Sequence, residues 1–208
     1  LRGVLALLDA DGDVRPRLYP GDDDRRDAAR ALASIPEGRG PLVGLFVDAG
    51  EEAKRWPVAR FIDLARRLTG AGCRVLAFAG LAGDALLAPL QAQGVTAIDP
   101  LTRVLALAEL IRGLSVLVTN DSAPAHLADA VGTPAVVIYG PTSPVRFRPY
   151  GDGHALLHAG LGCDFYLKRC QAREEGTPGD GRCLNAIGVD AVFDATMARA
   201  VTARPVLS

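Results

Sequence analysis

From Pro41 onward, apolar runs alternate with amphipathic stretches. The runs lie at 42–47, 73–79, 95–98, 115–119, 134–139 and 154–158, and the stretches between them near 57–69, 83–93, 101–113 and 122–131. In the first stretch Phe61, Leu64, Ala65 and Leu68 fall at i, i+3, i+4 and i+7, one apolar helix face. Several runs are apolar throughout rather than at every second position. Both faces of their sheet should then be covered, as in a parallel sheet with helices on each side. The expected fold class is α/β, a Rossmann-like doubly wound parallel sheet.

The flanks differ from this rhythm. Residues 1–40 read as a lead-in or interdomain linker: a helix end over Leu1–Leu8, an acidic turn at 9–13, and a helix over Asp22–Ser34 with acids in its first turn. Residues 41–188 form the expected Rossmann-like domain, with 160–188 as a cysteine-bearing irregular segment. Residues 189–208 supply a last helix and a tail.

Composition narrows the picture. A chain of 208 residues supports one sizeable core. A net charge of −1 gives no reason to expect nucleic acid as a partner. No run approaches the roughly 20 apolar residues of a transmembrane segment, and no signal peptide precedes the first segment, so a soluble protein is expected. The chain starts on Leu1 and has one methionine, Met197, which fits a fragment better than a complete product. Cys73 lies in an apolar run and reads as a small buried hydrophobe. Cys163, Cys170 and Cys183 crowd together, but their spacing matches no C-x-x-C knuckle. Reduced structural thiols are expected there, ahead of a zinc site shared with His158. The acids at Asp9–Asp13 lack the distal glutamate of a calcium loop, and Asp22–Asp24 are ordinary first-turn acids. No metal is expected.

Candidate chemistry gathers in the loops that follow strands, which share one edge of a parallel sheet. The run ending at Thr119 leads into Asn120-Asp121-Ser122 and straight into a helix with Pro124 in its first turn and Gly132 at its end. Such a helix start suits a phosphate. Lys54 precedes a Trp-Pro helix start and reads either as the cation of a diphosphate clamp or as a solvated lysine beside Glu51 and Glu52. Asp121 is either a helix cap or an acceptor for sugar hydroxyls. Asp84 is either a cap or an acceptor for ribose, and His126, one turn further in, is either a packed or solvent-facing residue or a catalyst.

Read together, Ala53-Lys54-Arg55-Trp56-Pro57, Thr119 to Pro134, Tyr139 to Pro144, Pro149-Tyr150-Gly151 and Cys183-Leu184-Asn185-Ala186-Ile187 resemble, in order and spacing, the C-terminal half of the family 9 glycosyltransferases. These are the ADP-heptose:lipopolysaccharide heptosyltransferases. The resemblance implies a two-domain GT-B enzyme whose C-terminal half binds ADP-heptose. The N-terminal half would hold the lipopolysaccharide core acceptor and an aspartate base. It implies metal-independent, inverting transfer with no cofactor, in the cytoplasm or at the inner face of the inner membrane. By position, Lys54 and Asp121 would support the donor and leaving group. Ala49, Gly50, Lys54, Asp84, Asp121, Ser122, Ala123, Pro124 and His126 would line the donor site, with the backbone at Ser122–Pro124 cradling the diphosphate.

Four features depart from that pattern. Ala123 stands for the family's glycine, Ala49 and Gly50 for small hydroxyl residues, and Asp84 for a glutamate; Glu51 and Glu52 add negative charge. With no N-terminal half present, the chain alone is expected to bind donor without turnover. Two other readings stay open: a non-catalytic nucleotide-binding module, and another GT-B enzyme such as a sugar-nucleotide epimerase.

Overall fold

The computed structural model describes residues 16–80, 83–98, 101–160 and 181–200. Along these run α1 (Asp22–Ala33), β1 (Leu42–Phe46), a 3₁₀ turn (Glu52–Lys54), α2 (Val58–Gly70), β2 (Arg74–Phe78), α3 (Asp84–Gln91), β3 (Thr96–Ala97), α4 (Val104–Arg112) and β4 (Val116–Asn120). There follow α5 (Ala123–Val131), β5 (Ala135–Tyr139), α6 (Pro144–Phe147), β6 (Ala155–His158), α7 (Arg182–Asn185) and α8 (Val189–Ala200).

The six strands form one sheet in the order β3-β2-β1-β4-β5-β6, every pair parallel. This is the doubly wound arrangement expected from the continuous apolar runs. Strands β1, β4 and β5 are buried at all five positions, which only a sheet covered on both faces allows. One core packs Val43, Leu45 and Val118 against Phe61, Leu64 and Leu68 of α2, with Val192 of α8. The opposite core packs Phe46, Leu117 and Val137 against Leu110 and Ile111 of α4, Ala128 of α5 and Ala28 of α1. Chain order reverses between β1 and β4. At that switch point the connections leave toward opposite faces and open a crevice at the strands' C-terminal ends.

Each apolar run contains a strand, although β3 shrinks to two residues at the sheet edge, where it has one neighbour. The helix over Asp22–Ala33 does form. It docks on the domain through Ala28, and Arg103 pairs with Asp24 and Asp27 at 3.2 and 2.7 Å. The 3₁₀ turn and α6 were not foreseen, and α7 interrupts the stretch expected to be irregular; at three or four residues, none shows a helical period. Cys73 is buried, its Sγ lies 3.7 Å from Met197 Sδ, and burial raises its thiol pKa. Cys163, Cys170, and with them any zinc arrangement, lie outside the described residues, as does the acidic turn at 9–13.

Gly132 ends α5 at φ +79°, where its N–H reaches back to Ala128 and Asp129 carbonyls. Gly132→Ala forces a side chain into the left-handed region. The expected cost is about 1 kcal/mol of unfolding free energy, read from the urea midpoint at constant slope.

Candidate functional site

The crevice is held together by Asn120, the last residue of β4, whose side chain is fully buried. Its Nδ2 donates to the carbonyls of Val47 and Asp48, each at 3.2 Å, and its Oδ1 accepts the Trp56 N–H at 2.9 Å. One carboxamide therefore ties the end of β4 to both ends of the loop that follows β1. Trp56, itself fully buried, stacks edge-to-face on Phe61 and donates its indole N–H to the Ile187 carbonyl at 3.0 Å. Arg60, one turn into α2, donates to the carbonyls of Leu184, Asn185 and Ile187. The late Cys-Leu-Asn-Ala-Ile stretch is thus a clamp on the start of α2.

With the loop fixed, Lys54 Nζ stands 3.6 Å from Asp121 Oδ2 and 3.7 Å from Glu51 Oε1. Asp121 is buried, its N–H donates to Ile138, and its Oδ2 also accepts the Thr142 hydroxyl at 2.6 Å. Asp121 does not cap α5. Ser122 is the N-cap residue, yet its hydroxyl turns to the Asn120 carbonyl and to Thr119 Oγ1, and no side chain caps the helix. Among the described residues no side chain thus fills the positive end of α5, which is open to an anion. Burial, then the Asp121 charge, raises the pKa of the nearby Tyr139 phenol, whose hydroxyl donates to the Phe147 carbonyl at 3.1 Å.

A cavity of about 250 Å³ opens beside this helix start, lined by Phe46, Phe78, Ile98 and Leu107, with Gly80, Ala123 and Pro124 at its margin. A larger hollow, about 420 Å³, lies at the opposite sheet edge beside Cys73 and Arg74, away from these groups. Chemistry, not size, selects the first.

The structure brings Lys54, Asp121, Ser122, Ala123 and Pro124 to one place. Asp84 opens α3 on the same sheet edge, after β2. Gly50 is exposed in the loop, whereas Ala49 is buried, with its N–H donated to the Asp48 carboxylate at 2.7 Å. His126 is exposed on α5. Asn120, Thr142 and Arg55 belong to the site's architecture but escaped the sequence reading as separate contributors. Their motif positions were the only signal, because each acts through a contact distant in the chain. Among the described residues no group of three or more His, Cys, Asp or Glu side chains is placed to hold a metal, and no helix is long and apolar enough to cross a membrane.

A doubly wound sheet with a cation, a buried acid and an open helix start at its switch point defines an α/β domain of the Rossmann-like class. Residues 7–175 match the family model of glycosyltransferase family 9 (heptosyltransferase), and the chain belongs to that family. Lipopolysaccharide heptosyltransferase 2 of Salmonella typhimurium is 35% identical over 113 residues, which is 50% of this chain and 32% of that protein. Its counterpart in Escherichia coli is 34% identical over 119 residues, again 50% and 32%. The chain spans about a third of the length of these relatives. Among solved structures, a family 9 glycosyltransferase from Veillonella parvula superposes with a TM-score of 0.78 at 23% identity, over 96% of this chain and 58% of that one. E. coli ADP-heptose heptosyltransferase II gives 0.71 at 24%, over 94% and 56%. An E. coli heptosyltransferase solved with ADP gives 0.62 at 20%, over 83% and 48%. These likenesses identify the GT-B fold of the family.

Asn120→Ala removes three buried hydrogen bonds and leaves the Trp56 N–H without its acceptor. The expected loss is about 2–4 kcal/mol in chemical denaturation. Asn120→Asp is expected to be damaging too, because a carboxylate cannot donate to Val47 and Asp48.

Proposed function

We propose that the chain binds a nucleoside diphosphate sugar, ADP-heptose or a close relative, and forms the donor side of an inverting heptosyl transfer to a lipopolysaccharide core. The observation that carries this reading is the convergence of Lys54, Asp121 and the uncapped start of α5 beside a base-sized apolar cavity. The purine is assigned to the cavity that Phe46, Phe78, Leu107 and Pro124 line, and the diphosphate then reaches the N–H groups at Ser122 and Ala123. Asp84, at the start of α3, stands on the ribose side. Family membership and the ADP bound to one structural relative support the choice of nucleotide.

In an inverting transfer the acceptor oxygen attacks the anomeric carbon as the bond from that carbon to the diphosphate oxygen breaks. The negative charge collects on the departing diphosphate. Lys54 and the α5 dipole are fixed in advance where that charge develops, so the step needs no metal or cofactor. Asp121 has one oxygen committed to Thr142 and Lys54, and its Oδ1 is the group offered to sugar hydroxyls. The acceptor's proton passes to a base that the family places in its N-terminal half. The acceptor implies work at the inner face of the inner membrane.

Calorimetric titration separates these roles. ADP is expected to bind more tightly than UDP or GDP, and Lys54→Ala to weaken ADP roughly tenfold or more. Thr142→Val should weaken the ADP-sugar while leaving ADP unchanged, and Thr142→Ser should restore it. Equal affinity for the three nucleotides, or unchanged ADP binding in Lys54→Ala, contradicts the reading.

A further inference from the structure

In a doubly wound sheet, backbone N–H groups of the loop after the first strand are the usual donors to a pyrophosphate. Here the first of them, at Ala49, is already taken. The Asp48 carboxylate at the end of β1 accepts the Ala49 N–H at 2.7 Å on Oδ1 and the Gly80 N–H at 3.3 Å on Oδ2. A Cβ on Gly80 would stand 3.0 Å from that Oδ2, so glycine lets the two loops close on the acid. Asp48 acts as a built-in anion that accepts one N–H from each of the loops after β1 and β2.

The same carboxylate also anchors a guanidinium. Arg55 Nε lies 2.9 Å from Asp48 Oδ1 and 3.2 Å from the Ala49 carbonyl. Only the Nε edge is committed. The two Nη groups have no hydrogen-bond partner among the described residues, and the side chain, anchored at the C-terminal end of β1, is 34% exposed.

Charge in the crevice needs this second cation. Lys54 is held between Asp121 and Glu51, while Asp48 faces Arg55. Two positive groups against three carboxylates leave the crevice negative before any ligand arrives. A diphosphate adds further negative charge, and Lys54 alone does not offset it.

We propose that Arg55 is a second donor-binding residue, whose Nη fork takes diphosphate oxygens, and that Asp48 is the positioning residue fixing the guanidinium by its Nε edge. This rests on the function proposed above. The loop after β1 then delivers positive charge through a second side chain, and Arg is suited to it because its planar fork pairs with two phosphate oxygens at once.

The test is calorimetry on the 208-residue chain with ADP, AMP and adenosine, comparing wild type, Arg55→Met and Lys54→Met, with folding checked by thermal melts. Arg55→Met is expected to weaken ADP roughly tenfold to a hundredfold, leave adenosine unchanged and flatten the salt dependence of ADP binding. If Arg55→Met does not fold, Arg55→Gln keeps a hydrogen bond to Asp48 without the charge and carries the same expectation. A folded Arg55 variant that binds ADP like wild type while Lys54→Met loses it overturns the role of Arg55 and spares the proposed function. Equal loss of ADP and adenosine also overturns it, because the effect then lies in the base cavity. Wild-type protein that binds ADP no better than adenosine overturns both.

Discussion

The site depends on one buried carboxamide. Asn120 ends β4, yet its three hydrogen bonds go to the loop after β1 and to the backbone of Trp56. Strands β1 and β4 are neighbours whose connections depart toward opposite faces, so the loop between Val47 and Pro57 needs a tie across to β4 at both its ends. Asn120 offers both a donor pair and an acceptor at that point. An aspartate lacks the donors, and a leucine would bury three backbone groups without partners. The positions of Lys54 and Arg55 follow from that anchor, with Trp56 and Arg60 extending it to the Ile187 region.

A second theme is the handling of charge. The crevice that is to receive an anion already holds three carboxylates, and each has a defined task. Asp48 ties the loops after β1 and β2 together and orients Arg55, Asp121 is held by Thr142 and Lys54, and Glu51 is the half-exposed partner of Lys54. Only Glu51 is solvated enough to yield its cation cheaply to a ligand. The open start of α5 adds positive character that no carboxylate neutralises by capping. On the proposed function, anion binding is an exchange of partners rather than the filling of an empty positive pocket.

The fold was legible in the sequence because each strand in a doubly covered sheet must be apolar on both sides, and that constraint writes an unbroken run. The helices were legible for the complementary reason, their one buried face, as at Phe61, Leu64, Ala65 and Leu68. The cluster at Lys54 and Asp121 emerged from loop position along one sheet edge. What stayed hidden depended on contacts between distant residues. Thr142 meets Asp121 across 21 positions and Trp56 meets Asn120 across 64, and neither pairing leaves a periodic trace. The commitment of the Ala49 N–H was invisible as well, since it follows from the rotamer of Asp48.

A crystal structure of the chain soaked with ADP tests the central claim most directly. The account predicts the diphosphate at the start of α5, within hydrogen-bond distance of the Ser122 and Ala123 N–H groups and of Lys54 Nζ, with the adenine in the cavity lined by Phe46, Phe78, Leu107 and Pro124. ADP bound at the opposite sheet edge beside Arg74, or at the switch point with its phosphates turned away from α5 and Lys54, would contradict it.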